Sequence, residues 1–180
     1  YAVAAFEPAE ADESRAFDVR SQKVERERIS TIRDQEDAYT RLARQTVESF
    51  VKTGQVPPLP DELPEEMKNE RAGVFVSLKI QSKLRGCIGT ISAVTGSVAE
   101  EIQRNAVSAC SQDPRFDPVT ADELERIHYS VDVLGSAERI ESVSQLDAKR
   151  YGVIVTSGYR KGLLLPNLEG VDTVEEQLKI

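Results

Sequence analysis

The spacing of apolar residues changes several times along this chain, and each change marks an element. Tyr39, Leu42, Ala43, Val47, Phe50 and Val51 recur at the 3.6-residue period of a helix, which Asp34 is placed to cap and Gly54 to close. The pattern then stops at Val56-Pro57-Pro58-Leu59-Pro60 and the acidic stretch to Glu70. Prolines remove backbone donors and hold their predecessors extended, so a surface loop is expected there. From Gly73 the period falls to two. Val74, Val76, Leu78 and Ile80 share one face, a polar turn follows at Gln81-Ser82-Lys83, and Leu84 to Ile91 returns as the second strand of a hairpin. Ser97 is placed to cap a helix through Gln112 whose buried stripe is Val98, Ile102, Ala106, Ala109 and Cys110.

Thr120-Ala121-Asp122-Glu123 has capping-box spacing and opens a short helix to Ile127. His128 to Leu134 alternates, with Tyr129, Val131 and Val133 on one face and His128, Ser130 and Asp132 on the other, as a half-buried strand does. Residues 151–156 and 162–165 bracket the turn Ser157-Gly158-Tyr159-Arg160-Lys161 as a second hairpin, and Thr173-Val174-Glu175-Glu176 opens a final helix at which the sequence ends partway. This order predicts an α+β domain over residues 34–180, with helices flanking a largely antiparallel sheet. Residues 1–33 differ: a strand-like run from Tyr1 to Phe6 precedes mixed charges with few large apolar residues. That is the composition of a linker or loosely docked tail, or of the last strand of a preceding domain with its linker.

Charge and cysteine usage narrow the function classes. The 180 residues carry 31 acidic and 23 basic side chains, a formal net charge of −8. A nucleic-acid binder normally shows a basic stripe with interleaved aromatics, and none is present. Apolar runs such as Gly162 to Pro166 are too short to span a bilayer, which argues against a membrane role. Two cysteines without Cys-x-x-Cys spacing, and no apolar signal segment, fit a reducing cytoplasm. A single histidine and no metal-spaced cluster argue against an intrinsic metal centre in residues 34–180, and no cofactor motif is found.

The most chemically specific stretch is Lys83-Leu84-Arg85-Gly86-Cys87-Ile88-Gly89-Thr90. Two glycines inside a strand mark a bulge, or a place where another backbone or a ligand comes close. Cationic neighbours favour a thiolate, so Cys87 is a candidate nucleophile or redox thiol; the plainer reading is a buried, inert strand cysteine. Cys110 reads most simply as core. His128 is the only histidine to test as a base for Cys87, and its place on the polar face of a strand argues for a solvated residue. Asp113 and Arg115, framed by Pro114 and Pro118, either anchor an anionic ligand or form an ion pair that fixes their own turn. Arg85 either binds a ligand anion or satisfies carbonyls left open by a bulge. Glu100, Glu101 and the run Asp61 to Glu66 read as solvent faces.

Leu84-Arg85-Gly86-Cys87-Ile88-Gly89-Thr90, together with Asn105-Ala106, Asp113-Pro114-Arg115-Phe116, Tyr129-Ser130-Val131, Val133-Leu134 and Lys161-Gly162-Leu163-Leu164-Leu165-Pro166, resembles the AMMECR domain family. Its bacterial and archaeal members are called AmmeMemoRadiSam system protein A. The resemblance covers about residues 34–180 and implies a two-part fold with a cleft between the parts. It also implies partnership with a Memo-like protein and a radical S-adenosylmethionine enzyme. Some members carry an N-terminal domain similar to the B subunit of extradiol ring-opening dioxygenases, and residues 1–33 resemble the tail of such a domain. Two departures stand out: His128 lies outside the shared motifs, and the usual lysine-alanine-glycine end of the last helix is missing. The family carries no established reaction.

The expectation is a cytoplasmic domain whose cleft, lined by Arg85, Cys87, Asp113 and Arg115, binds a small anionic substrate or cofactor-derived group. Gly86 and Gly89 would admit the ligand, Arg85 would stabilise the Cys87 thiolate, and Asp113 would act as acid or base. The alternative is a noncatalytic interaction module that docks a partner enzyme.

Overall fold

The first described element is one that its charged composition did not predict. In the computed structural model, which describes residues 17–168 and 170–179, α1 (Phe17–Asp34) is a helix that docks where linker composition was read. Among the described side chains of α1, Ile29 is buried at 4% exposure and Ile32 is half-buried, and ionic contacts add to them. The Arg33 Nη2 donates to the Leu124 carbonyl at 2.8 Å and lies 3.3 Å from Glu48 Oε1. Arg44 in turn reaches Glu48 at 3.4 Å and Glu36 at 2.8 Å. The strand expected over Tyr1 to Phe6 lies outside the described residues.

The next helix, α2 (Ala38–Thr53), is capped by Asp37, whose carboxylate accepts the Thr40 N–H at 2.7 Å. Asp34, the expected cap, is the last residue of α1 instead. A short helix, α3 (Glu65–Asn69), replaces part of the expected loop because Met67 is fully buried and anchors it.

The sheet that follows is made by β1 (Val74–Ile80), β2 (Lys83–Gly89) and β3 (Ile127–Val133) in the antiparallel order β2-β1-β3. Between β2 and β3 lies α4 (Val98–Ser111), capped by Ser97 as its sequence predicts. The expected helix after Thr120 is a single 3-10 turn, Leu124–Arg126. Helices α2 and α4 cover one sheet face, where Leu42, Val47, Val76, Leu78, Ile102 and Tyr129 form the core. Each such side chain contributes roughly 1.5–3 kcal/mol through burial. Cys110 belongs to this core, and burial pushes its thiol up to about 11.

The opposite face is polar. Strand register places Cys87, Ser77 and Ser130 in one cross-strand row and Leu84, Lys79 and His128 in the next. The turn joining β1 to β2 places Gln81 at φ 51° and Ser82 at φ 64°. Neither is glycine, and left-handed backbone costs such residues roughly 1–2 kcal/mol each.

Beyond β3 a smaller unit consists of β4 (Val153–Ser157), β5 (Arg160–Leu164) and α5 (Val174–Gln177). Strands β4 and β5 form their own antiparallel sheet, and Thr173 closes the predicted capping box. Ala148, Val153, Val171 and Gln177 are buried there, apart from the main core. The α+β architecture with antiparallel strands and flanking helices is the one the sequence predicts; the strands form two sheets rather than the single sheet expected. No helix among the described residues is long and apolar enough to cross a membrane.

Glu101 corrects the reading of α4. It is fully buried rather than solvent-facing, and its carboxylate accepts from Thr90 Oγ1 at 2.6 Å, the Val94 and Thr95 N–H groups at 2.9 Å and Thr95 Oγ1 at 2.8 Å. Burial alone would raise its pKa, and these bonds outweigh burial and hold it below the usual carboxylate value. Its stabilisation is therefore full above the unfolded carboxylate pKa and is lost as pH falls through the lower folded value. Glu101→Gln is expected to reduce the urea-unfolding free energy by about 1.5–3 kcal/mol at pH 7, because a buried charge-assisted network loses its acceptor. That difference should shrink in acid as the wild-type carboxylate protonates; an equal loss at pH 3 and pH 7 would contradict the assignment.

Candidate functional site

Strand β2 lies at the edge of its sheet, so every second residue turns its N–H and C=O away from β1 toward no strand. At Cys87 two side chains take the place of the missing strand. The Cys87 N–H donates to Asp113 Oδ2 at 2.8 Å, and Arg115 Nη2 donates to the Cys87 carbonyl at 2.8 Å. Asp113 and Arg115 are locked to each other as well. Arg115 Nε and Nη2 donate to the carboxylate at 2.9 and 2.8 Å, and the Arg115 N–H reaches Oδ1 at 3.1 Å. The pair presents one acceptor and one donor, the same groups an adjacent strand would offer.

Local sequence explains the placement. Helix α4 ends where the Gln112 N–H returns to the Ser108 carbonyl at 2.8 Å. Pro114 then restricts the turn, and the Val119 N–H closes the loop on the Cys110 carbonyl at 2.8 Å. Gly86 lets the two elements meet: a Cβ there would lie inside the van der Waals envelope of the Ala109 carbonyl near the end of α4. At Gly89 the Phe75 ring occupies the same kind of space. Both glycines serve close approach of the protein to itself rather than holding an opening at their own Cα.

The pairing register slips between Leu78 and Lys79, which leaves Arg85 as the extra residue of a bulge. Its guanidinium turns to Glu123, donating from Nε at 2.7 Å and from Nη2 at 2.9 Å, and to the carbonyls of Asp117 and Pro118 at 2.9 and 3.3 Å. The Arg85 fork, reinforced by the Thr120 N–H and hydroxyl, holds the Glu123 carboxyl down at about 2. Arg85 was expected to stabilise the Cys87 thiolate. Instead its charge is spent on Glu123, because the bulge aims it at the 117–123 loop.

Asp113 was expected to act as an acid or base. Its side chain is 2% exposed, and the Arg115 guanidinium holds its carboxyl far below the usual carboxylate range. It stays ionised through the neutral range and positions Cys87 without exchanging a proton. Arg115 keeps 54% of its side chain exposed, and its Nη1 takes no part in the clamp.

Cys87 is half-buried, and its sulfur lies 3.2 Å from Ser77 Oγ, which donates to it. Ser77 is 7% exposed and was not singled out from the sequence, although it occupies the polar phase of an otherwise apolar alternation. Glu123 was read only as a capping residue; its partner lies 38 residues away, which local spacing does not reveal. His128 stands on β3, across β1 from Cys87 and in the next row, beyond hydrogen-bond reach of the sulfur. The partners of Arg85, Cys87, Asp113 and Arg115 all come from the larger unit.

The two loop carboxylates give the site a defined acid lability. Both have depressed folded-state pKa values, so their contribution is full above about pH 4 and is lost as pH falls toward 2. Asp113→Asn is expected to cost about 1.5–3 kcal/mol in urea unfolding at pH 7, since a hydrogen bond to a charged group is lost at a buried position. The deficit should narrow when the measurement is repeated near pH 2.5, and a mutant as stable as wild type at pH 7 would show that the clamp is idle.

Comparison with known proteins places this site in a wider group. The AMMECR1 family model matches residues 40–180. A protein of Clostridium acetobutylicum is 50% identical over 160 residues, covering 88% of this chain and 34% of its own length. The chain thus spans about a third of that relative. A protein of Thermotoga maritima is 49% identical over 146 residues, covering 81% of this chain and 84% of that protein. The crystal structure of an uncharacterized protein from Pyrococcus horikoshii superposes with a TM-score of 0.67 at 34% identity, covering 72% of this chain and 68% of that one.

Proposed function

The chain belongs to the AMMECR1 family, and from that premise we propose that its domain is a cytoplasmic enzyme unit carrying a reactive thiol, Cys87, against a small anionic ligand. A single observation carries the reading: the Cys87 peptide is clamped on both sides while the residue stays only half-buried. Rigidity of the peptide fixes where the sulfur points, and exposure lets a ligand reach it. Arg115 anchors the ligand anion through the part of its guanidinium outside the clamp. Ser77 orients the thiol, Asp113 positions Arg115 and Cys87, and Arg85 holds the flanking loop. Cys87, once its proton has passed to solvent, adds its electron pair to a carbonyl carbon of the ligand; the C=O π pair moves to the oxygen, which takes a proton from solvent, so no leaving group departs. By resemblance this unit works beside a Memo-like protein and a radical S-adenosylmethionine enzyme.

A second reading, a noncatalytic module that docks a partner enzyme, is favoured by the second hairpin. Val155 is exposed on β4, and Tyr159 is fully exposed at the turn. Alkylation separates the two. With Cys110→Ala so that one thiol reports, Cys87 is expected to react with iodoacetamide in the native state, faster as pH rises, and to be slowed by Arg115-directed anions such as oxalate. In the wild-type chain Cys110 should remain unmodified until urea unfolds the protein. Labelling of Cys87 only on unfolding would overturn the thiol reading and leave the docking module.

A further inference from the structure

Two aromatic rings stand beside the Cys87 site, and neither serves the main core. Phe50 packs against that core, whereas Phe75 and Phe116 do not, and both of these are half-buried. Phe75 belongs to the polar phase of β1, on the sheet face it shares with Ser77, Lys79, Ser130 and Asp132. Its register partner is Gly89, in the row next to that of Ser77 and Cys87. A Cβ at Gly89 would fall on the Cγ and Cδ atoms of the Phe75 ring, so the ring lies across β2 instead of standing over its own strand. Gly89 and Cys87 are two residues apart on one face, which sets the ring about 6–7 Å along the strand from the thiol-bearing residue. Glycine weakens a strand, and what this one admits is an aromatic side chain on an otherwise polar face.

Arg115 approaches the same residue from the open edge of β2. Its Nη2 is held on the Cys87 carbonyl at 2.8 Å, and its guanidinium carbon lies 5.6 Å from the centroid of the Phe116 ring. Asp113 and Phe116 thus fix the cation, which leaves Nη1 for a ligand. An anion on Nη1 lies within one residue of the thiol. The anionic group of a ligand and the carbon that Cys87 attacks are therefore neighbouring atoms. A 2-oxo acid has that arrangement, with its carboxylate bonded directly to a ketone carbon, and a carboxylate suits the planar guanidinium.

Given that Cys87 is read as a thiol within a ligand's reach, a reading on which this inference rests, we propose that the ligand is an aryl-substituted 2-oxo acid and that Phe75 selects its ring. The carboxylate meets Arg115. The Cys87 sulfur bonds to the ketone carbon as the C=O π pair moves to the oxygen, which takes a proton from solvent. The aryl ring packs against Phe75 in offset or edge-to-face contact, the arrangements that ring quadrupoles favour. Phe75 acts on binding and takes no part in proton transfer.

Protection of Cys87 from iodoacetamide tests this in the full chain carrying Cys110→Ala. The probes are phenylglyoxylate and pyruvate, at constant pH and ionic strength. The ketone of phenylglyoxylate is conjugated with its ring and is the less electrophilic of the two, so a preference for it reports the ring contact. Phenylglyoxylate should half-protect at a concentration at least about fivefold below that of pyruvate. Phe75→Leu keeps an apolar side chain over Gly89; it should bring the two acids within about twofold of each other while leaving pyruvate protection and the ligand-free alkylation rate unchanged. An intermolecular NOE between the ring protons of phenylglyoxylate and those of Phe75 should be present in the chain with Phe75 intact, a readout that needs no substitution at the ring. Equal protection by the two acids, a preference that survives Phe75→Leu, or no such NOE would overturn the aryl assignment and leave the thiol reading standing. Protection by neither acid would overturn the 2-oxo acid class. A Cys87 that reacts only on unfolding would overturn the thiol reading and this inference with it.

Discussion

An unpaired strand edge must be satisfied, and in this protein an ion pair satisfies it. The Asp113 carboxylate and the Arg115 guanidinium meet the outward N–H and C=O of Cys87 as a fourth strand would, and by doing so they place the segment after α4 against β2. Geometry alone would leave that edge open to pairing with another chain. Closing it with side chains removes the hazard.

Two further carboxylates hold the same region. Glu123 receives the Arg85 fork that emerges from the bulge, and Glu101 gathers the hydroxyls and amides of residues 90–95 just past the end of β2. Each acid meets a different need: Asp113 completes a backbone ladder, Glu123 neutralises a half-buried cation, and the buried Glu101 gives the partly exposed loop after β2 its acceptor. Asn105 joins the last of these by donating to the Val74 carbonyl at 2.8 Å and Thr90 Oγ1 at 3.2 Å. The strand bearing the thiol is thus fixed before, at and after Cys87. Side-chain positions set by several charge-assisted bonds vary less than those set by packing alone.

Much of the fold was legible because its signals are local. The two hairpins, the Ser97 cap, the Thr173 capping box and the apolar stripe ending at Cys110 are patterns within a few residues, and all appear where the sequence puts them. The misreadings share another cause. α1 docks through Ile29 and a chain of ion pairs to α2, so hydrophobic periodicity had little to report. Glu101 looked solvent-facing because acidic residues in a first helical turn usually are, and the donors that bury it lie in the loop before the helix. Among the site residues, Cys87, Asp113 and Arg115 lie together in the structure, joined by hydrogen bonds. Their roles were not readable, because whether Asp113 titrates depends on how closely Arg115 folds back on it. Arg85 was separated from the sulfur by a one-residue bulge, which no spacing rule exposes.

Amide hydrogen exchange at Cys87 tests this arrangement most directly. An outward-facing N–H on an edge strand exchanges readily when only water satisfies it. The clamp predicts that the Cys87 amide is protected as strongly as the inward-facing amides of β1, with that protection falling as pH is lowered far enough to protonate Asp113 once intrinsic rates are corrected. Exchange at the rate of a solvent-exposed loop amide at pH 7 would mean that Asp113 and Arg115 do not hold the Cys87 peptide.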